Sequence, residues 1–285
     1  MCLAGGRDTV TGWHLWLAHL PFEWAQYDFM HNALLAVLLV SPLLAVLGCL
    51  VVNNQMAFFS EAMGHSALTG LALGALLGLA DPTVTIVGFA VILAIGMVVM
   101  RRSGAVPADT GIALVMAFVV ALGVVLLSRG GGFAKYSRYL IGDLLTITPH
   151  ELAALALLVV AVLGVWVVLF NAFFFVSLNR SLAASRGLPT AVLEMTFSVL
   201  VGVVVAVCIP WVGLLVINSL LILPAATSRN LARNTRHYVL GAVGVSLVSG
   251  LLGLISSYYW NTATGATIVL WACGFFALSL VLRRR

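Results

Sequence analysis

The segment SEAMGHSALTG places Glu61 and His65 four residues apart at the head of an otherwise apolar stretch. In a helix this spacing puts both side chains on one face. A carboxylate and a neutral imidazole together can bind a divalent transition metal such as zinc or manganese. A closed structural zinc site uses four protein ligands, so a pair indicates a site that holds an ion in transit. Alternatively, Glu61 lies at a polar boundary and His65 forms a hydrogen bond between helices.

The composition determines which elements must position this pair. Hydrophobic residues make up 62% of the chain and charged residues only 8%, and the mean hydropathy is +1.15. A soluble domain cannot expose so apolar a surface, so the sequence predicts an all-α integral membrane protein. An acidic side chain in the middle of a membrane costs about 2.5 to 3.5 kcal/mol on the translocon scale. Glu61 therefore needs a partner, a proton, water or an ion.

Short polar breaks divide the chain into about nine apolar stretches, each close to the roughly 20 residues that a membrane-spanning helix needs. The predicted spans are 31–52, 56–80, 83–100, 110–128, 150–175, 190–209, 212–227, 238–256 and 265–282. Several of them begin with residues typical of a helix start. Thr148 and Glu151 have the spacing of a capping box, with Pro149 at the first helical position.

Basic residues predict the orientation, because lysine and arginine are retained on the cytoplasmic side during insertion. With the N-terminus outside, ten of the 14 basic residues lie inside. We therefore expect an extracytoplasmic N-terminus and a cytoplasmic C-terminus. Residues 1–30 lack the order of a signal peptide and carry three tryptophans, which favours an interfacial segment on the outer side.

Known catalytic motifs are absent from the sequence. Lys135 is the only lysine and follows an alanine, so the chain has no phosphate-binding loop of the G-x-x-x-x-G-K-[ST] type. Neither H-E-x-x-H nor G-x-S-x-G occurs. We therefore expect no enzyme activity and no ATP hydrolysis by means of such a loop. The net charge of +5 reflects membrane topology and does not indicate nucleic-acid binding.

Polar or turn-forming residues in four other places are further candidates for a functional or structural role. Residues 180–189 combine a short amphipathic stretch with Gly187 and Pro189, which indicates either a helix-turn-helix that docks another protein or a plain loop. Asn218 and Ser219 lie inside a span, where such groups bond neighbouring helices or line a pathway. Asp143 lines an outer gate or caps a turn. Glu194 suits the positive end of its helix dipole.

Four motifs in order resemble the ABC-3 family, the membrane permeases of zinc and manganese ABC importers. FMHNALLAVLLVSPLLAVLGCLVV is similar to the first helix of that family, and MAFFSEAMGHSALTGLALG is similar to its G-D-x-L-x-H-A-x-L-x-G motif. YLIGDLL resembles the outer-loop F-G-D-I-L, and VGLLVINSLLILPAATSR resembles a helix ending in P-A-A-T-A-R. The resemblance runs from about Phe29 to the C-terminus.

The resemblance implies that Glu61 and His65 take part in metal passage, with glutamate where the family has aspartate. It implies that the segment LAASRGLP is the helix that couples to the ATPase. The matching residues are Leu182, Ala183, Ala184, Arg186, Gly187 and Pro189. A permease domain of residues 31–285, with a cytoplasmic coupling segment at 177–189, follows the N-terminal segment.

The resemblance also implies partners and a location. The expected partners are cytoplasmic ABC ATPase subunits, a second copy of the chain and an extracytoplasmic metal-binding protein. The expected location is a prokaryotic inner membrane. No cofactor is permanently bound, and the cargo is zinc or, as an alternative, manganese or iron. An ion-coupled secondary metal transporter without an ATPase is the competing hypothesis.

Overall fold

A computed structural model of the chain describes residues 27–79, 82–104, 107–129 and 144–282. This part contains ten α-helices and no strand. The helices are α1 (Asp28–Asn53), α2 (Ala57–Leu76), α3 (Thr83–Ser103), α4 (Ala108–Arg129), α5 (Pro149–Leu178), α6 (Arg180–Ser185), α7 (Thr190–Val212), α8 (Leu214–Leu231), α9 (Thr235–Trp260) and α10 (Thr264–Leu282). A short 3-10 turn, Leu144–Thr146, precedes α5.

The predicted fold class, an all-α multi-pass membrane protein, is confirmed. Each of the nine predicted spans corresponds to one helix, and α6 is the additional short one. Eight helices in the described part are long and apolar enough to cross a membrane. The exception is α2, which contains Glu61 and His65 and ends at Leu76, four residues before the predicted end. Its polar residues lower the hydropathy, and neighbouring helices cover most of its surface.

Helix α1 forms the centre of the bundle and packs against α5, α8 and α9. Two hydrogen bonds tie it to α9: the Ser246 hydroxyl donates to the Ser41 carbonyl at 2.9 Å, and the Tyr238 hydroxyl donates to the Cys49 carbonyl at 3.2 Å. These pairs show that the two helices run antiparallel. Side-chain hydrogen bonds of this kind contribute to helix association where lipid tails supply no hydrophobic driving force.

Glycines allow the closest helix contacts. At Gly48 of α1 an added Cβ would lie 1.8 Å from the carbonyl oxygen of Leu221 in α8. At Gly70 of α2 it would lie 2.6 Å from the Cα of Ile86 in α3. Small residues let helix backbones approach closely enough for van der Waals attraction to hold them together. Gly78 follows Gly70 and Gly74 at the same spacing of four residues, but it lies in the turn after α2 with φ of 67° and no neighbour within 4 Å.

Several features that the sequence predicts lie at the ends of helices. The capping box of Thr148 and Glu151 is present at the start of α5, as predicted. One end of the bundle brings α6 together with the end of α1, the starts of α2 and α7, and the ends of α3 and α5. We name it the α6 end. Most of the N-terminal segment, residues 1–26, lies outside the described residues.

The Gly48 contact predicts a loss of stability when a side chain is added. In Gly48→Ala the methyl group overlaps the Leu221 carbonyl, which is backbone and cannot rotate away, so α1 and α8 must separate. We expect about 1 to 3 kcal/mol of destabilisation, measured as a lower melting temperature of the detergent-purified protein. Gly96→Ala is the control, because nothing lies within 4 Å of that position. Equal melting temperatures for the two variants would contradict the packing at Gly48.

Candidate metal transit site

Glu61 and His65 lie on one face of α2, as their spacing predicts. With a rise of about 1.5 Å per residue, Glu61 lies about 6 Å and His65 about 12 Å from the start of the helix at Ala57, so His65 is close to its middle. Both residues are half-buried. Within the described residues, neither side chain has a hydrogen-bond or ion-pair partner. Both are therefore available as ligands.

Most of the remaining surface of α2 is packed against neighbouring helices. Of its 20 residues, 13 are buried. On one side Met63 contacts Gly202 of α7, where an added Cβ would lie 3.3 Å from the methionine sulfur. On the stripe that continues from His65 towards the end of the helix, Leu68 and Ala72 form an apolar cluster with Leu127 of α4. Beyond His65, the residues on the same face of α2 therefore make apolar contacts with α4.

Helix α8 reaches α2 between the two candidate ligands. An added Cβ at Gly64 would lie 2.0 Å from the Leu214 Cδ1 and 3.8 Å from the Asn218 Nδ2. The Asn218 Oδ1 is buried and has no hydrogen-bond partner among the described residues. The adjacent Ser219 points elsewhere, since its hydroxyl donates to the Val216 carbonyl of its own helix at 2.9 Å. Asp143, the third candidate pathway residue, lies outside the described residues.

The described residues include no group of three His, Cys, Asp or Glu side chains that could hold a metal. A closed structural site of four such ligands is therefore not found in this part of the chain. The pair on α2 can supply one oxygen and one nitrogen ligand. Any further ligands must come from neighbouring neutral groups, from water or from another chain.

The predicted coupling segment contains the short helix α6 and a tight turn. The Asn179 side chain caps α6 by accepting from the Leu182 N–H at 2.9 Å. At the other end the Leu188 N–H donates to the Ala183 carbonyl and the Gly187 N–H to the Ala184 carbonyl, which is a Schellman motif. Gly187 takes the left-handed position of this motif with φ of 76°.

The segment presents a mixed surface. Ala183 is fully buried and anchors α6 to the bundle, whereas Leu182 is 47% exposed. Ala184, Arg186 and Gly187 are exposed, and Pro189 directly precedes α7. The Arg186 guanidinium lies over the Phe175 ring, 5.1 Å from its centroid, and such cation–π contacts restrain an exposed side chain. A restrained helix with an exposed leucine at its surface is suited to contact another protein.

An ion pair that the sequence does not reveal joins α6 to α7. Glu194 is the fifth residue of α7, just past the first turn, and it pairs with Arg180 of α6. The sequence-based assignment of Glu194 to the helix dipole alone was therefore incomplete. The side chains are 50% and 20% exposed, so the pair contributes modestly to stability but restricts the position of α6. The only sequence signal is opposite charge on the two sides of a short turn.

A cleft of about 220 Å³ opens at the α6 end. It lies between the start of α2, the end of α3 and the Arg180–Glu194 pair. Its polar lining residues are Asn53, Asn54, Gln55, Arg101, Ser177, Arg180, Glu194 and Ser198. In the sequence, Asn53 to Gln55 mark only a break between two spans. In the structure this break is the mouth of a polar cleft, one helical turn and a half from Glu61.

Comparison with known proteins relates this geometry to other membrane chains. One relative is the high-affinity zinc uptake system membrane protein ZnuB of Haemophilus influenzae, 33% identical over 91% of this chain and 99% of that relative. Another is the manganese import system permease protein ScaB of Streptococcus parasanguinis, 27% identical over 89% of this chain and 90% of the relative.

A solved structure has the same overall fold. It is PsaBC from Streptococcus pneumoniae in complex with Fab, with 26% sequence identity and a TM-score of 0.79 over 90% of this chain and 92% of the matched chain. A family model, the ABC 3 transport family, matches residues 26–283, which include every described helix. This multi-pass membrane protein therefore belongs to the ABC 3 transport family.

Proposed function

We propose that the chain is the permease subunit of an ABC importer for a divalent transition metal, with zinc as the favoured cargo. The observation that carries this proposal is the Glu61–His65 pair, half-buried on one face of α2, a helix of which 13 of the 20 residues are buried. Relatives over nearly the whole chain are named as zinc uptake and manganese import proteins. The pair is the place where such an ion would be held during passage.

The physical role of the pair is to replace part of the hydration shell of the ion. A divalent cation without ligands is very costly to bring into the membrane, and an unpaired carboxylate there is costly as well. When the cation binds, each charge offsets the cost of the other. Two protein ligands bind less tightly than the four of a structural site, which allows release.

Zinc is favoured over manganese because the ligand set contains imidazole and because the zinc-uptake relative shares a third of its residues with this chain. Glu61 has one methylene more than the aspartate that the family motif carries. The longer side chain moves the carboxylate further from α2 and changes the geometry around the ion without removing a ligand. Glu61 therefore contributes to the choice of cargo.

The proposed partners follow from the chemistry that this chain lacks. Without a phosphate-binding loop it needs ATPase subunits, which we place at the α6 end on the cytoplasmic side. Two copies of the chain form the pathway, and an extracytoplasmic binding protein delivers the ion to the opposite face. Asn218, Ser219 and Asp143 remain candidates for lining that pathway.

Loss of either ligand should abolish transport without unfolding the protein. We expect His65→Ala and Glu61→Gln to lower zinc uptake to background, because the first removes the nitrogen ligand and the second removes the negative charge that offsets the charge of the ion, and Glu61→Asp to retain uptake with an altered metal preference. Uptake is measured in cells that lack their own zinc importer, with membrane abundance determined by immunoblot. Ser66→Ala is the control, since the Ser66 hydroxyl donates to the Met63 carbonyl within α2. Wild-type uptake by both ligand variants would make the pair structural.

The coupling role of α6 predicts different effects for two substitutions at Gly187. Valine is strained at φ of 76°, at a cost of about 1 to 2 kcal/mol, whereas asparagine tolerates this conformation. No atom lies within 4 Å of an added Cβ there, so any effect arises from the backbone. We expect Gly187→Val to insert normally but to lose ATPase association and uptake, and Gly187→Asn to keep both. Co-purification of the ATPase tests this, and full coupling in Gly187→Val would refute the role.

ATP hydrolysis by the reconstituted complex distinguishes the proposal from the secondary-transporter hypothesis. In proteoliposomes that contain permease, ATPase and binding protein, we expect zinc to stimulate hydrolysis at a lower concentration than manganese or iron. The purified chain alone should hydrolyse no ATP and should move no zinc. Zinc accumulation by the chain alone would instead support an ion-coupled transporter.

A further inference from the structure

Asn218 carries a buried amide oxygen that has no hydrogen-bond partner in the described part of the chain. Buried carbonyl oxygens are normally paired, because leaving one unpaired costs free energy. Its neighbour Ser219 and the more distant Asn230 on the same helix both have partners: the Ser219 hydroxyl donates to Val216 and the Asn230 amide donates to the Ser279 hydroxyl at 3.0 Å. Asn218 therefore differs from these two polar residues of α8.

The Asn218 side chain lies against the helix that carries the proposed ligands. Its Nδ2 is 3.8 Å from the position that a Cβ on Gly64 would take. Gly64 follows Glu61 by three residues and immediately precedes His65. Residues three apart on a helix have Cβ positions about 5 to 6 Å from each other, so Asn218 adjoins the side of α2 that bears Glu61.

Gly64 makes this approach feasible. A methyl group at that position would overlap the Leu214 side chain, with 2.0 Å between the added Cβ and the Leu214 Cδ1. Because glycine has only a hydrogen atom here, the first turn of α8 packs directly on α2, and Asn218 in the next turn lies beside α2 as well. The same glycine therefore lies between the two candidate ligands and sets the distance to the amide.

We propose that the Asn218 Oδ1 is a third protein ligand of the transported ion, next to Glu61 and His65. This inference rests on the proposed function of that pair. An amide oxygen is neutral and hard, so it adds a ligand without adding charge inside the membrane. Together the three residues supply two oxygen ligands and one nitrogen ligand. An ion held in this way satisfies the unpaired oxygen.

The chemistry of the ligand predicts an effect on cargo choice. Carbonyl and carboxylate oxygens suit manganese, whereas imidazole suits zinc well. Removal of the amide oxygen therefore weakens manganese binding more than zinc binding. Asn218 in this role raises the affinity of the site for manganese relative to zinc and determines part of its selectivity.

The test compares Asn218→Leu with Asn218→Asp in the reconstituted complex with its ATPase and binding protein. For each variant, the concentrations of zinc and of manganese that half-saturate ATP hydrolysis are measured. We expect Asn218→Leu to raise the manganese value at least about tenfold and the zinc value less. Asn218→Asp retains an oxygen ligand and should stay within a few-fold of wild type for manganese. Asn230→Leu, on the same helix, should leave the ratio of the two values unchanged.

A second variant tests the same inference if the Asn218→Leu protein fails to insert into the membrane. In Gly64→Ala the added methyl group overlaps the Leu214 side chain and lies 3.8 Å from the Asn218 Nδ2, so the side chains beside Asn218 must shift and the metal ratio should change in the same direction. Gly88→Ala, with no neighbour within 4 Å, should leave it unchanged. An unchanged ratio in Asn218→Leu, or in Gly64→Ala if the first variant does not insert, overturns the inference. If Glu61→Gln and His65→Ala transport normally, the proposed function fails instead, so the two failures are distinguishable.

Discussion

A carboxylate in the second turn of α2 and an imidazole near its middle must be kept away from lipid, and the arrangement around α2 follows from this constraint. The helix is less apolar than the eight candidate spans, and α3, α4, α7 and the start of α8 pack around it. The Thr69 hydroxyl donates to the Val119 carbonyl of α4 at 2.6 Å, which holds α4 against α2 one turn beyond His65. The surrounding helices leave Glu61 and His65 only half-buried.

Close packing without side chains makes this enclosure feasible. Gly64 admits α8, Gly70 admits α3 and Gly48 admits the α8 backbone to α1. At Gly48 and Gly70 the neighbouring backbone lies closer than a side chain would allow, and at Gly64 the Leu214 side chain fills the space that a methyl group would occupy. Such close packing increases van der Waals attraction between the helices. Because α8 contacts α1 at Leu221 and α2 through Leu214, one helix joins the centre of the bundle to the proposed ion site.

The proposed ion site and the proposed coupling segment lie near the same end of the bundle, the α6 end. Helix α2 begins at the cleft that Arg180 and Glu194 help to line, and Glu61 lies little more than one turn into the helix. A movement of α6 would be transmitted through this ion pair to the start of α7. The start of α7 and the start of α2 share the cleft, so a change at one alters the surroundings of the other. This arrangement is the route by which the proposed contact of an ATPase with α6 would affect the proposed ion site.

The sequence by itself determined the class of the protein, the approximate limits of its helices and the pair on α2. Apolar runs of membrane-spanning length, turn residues and a capping box at Thr148 are local signals, and helices form from local contacts. The spacing of four residues between Glu61 and His65 likewise fixes their common face.

Only the tertiary structure decided which residues from other helices join that face. Asn218 is 154 positions from Gly64, and no periodicity links the two; they approach each other because Leu214 of α8 fits against Gly64. The Arg180–Glu194 pair and the polar cleft also arise from helices that meet in space. Packing between distant segments depends on the shapes of both helix surfaces together. Local patterns in the sequence describe one helix at a time and therefore do not reveal which helices fit each other.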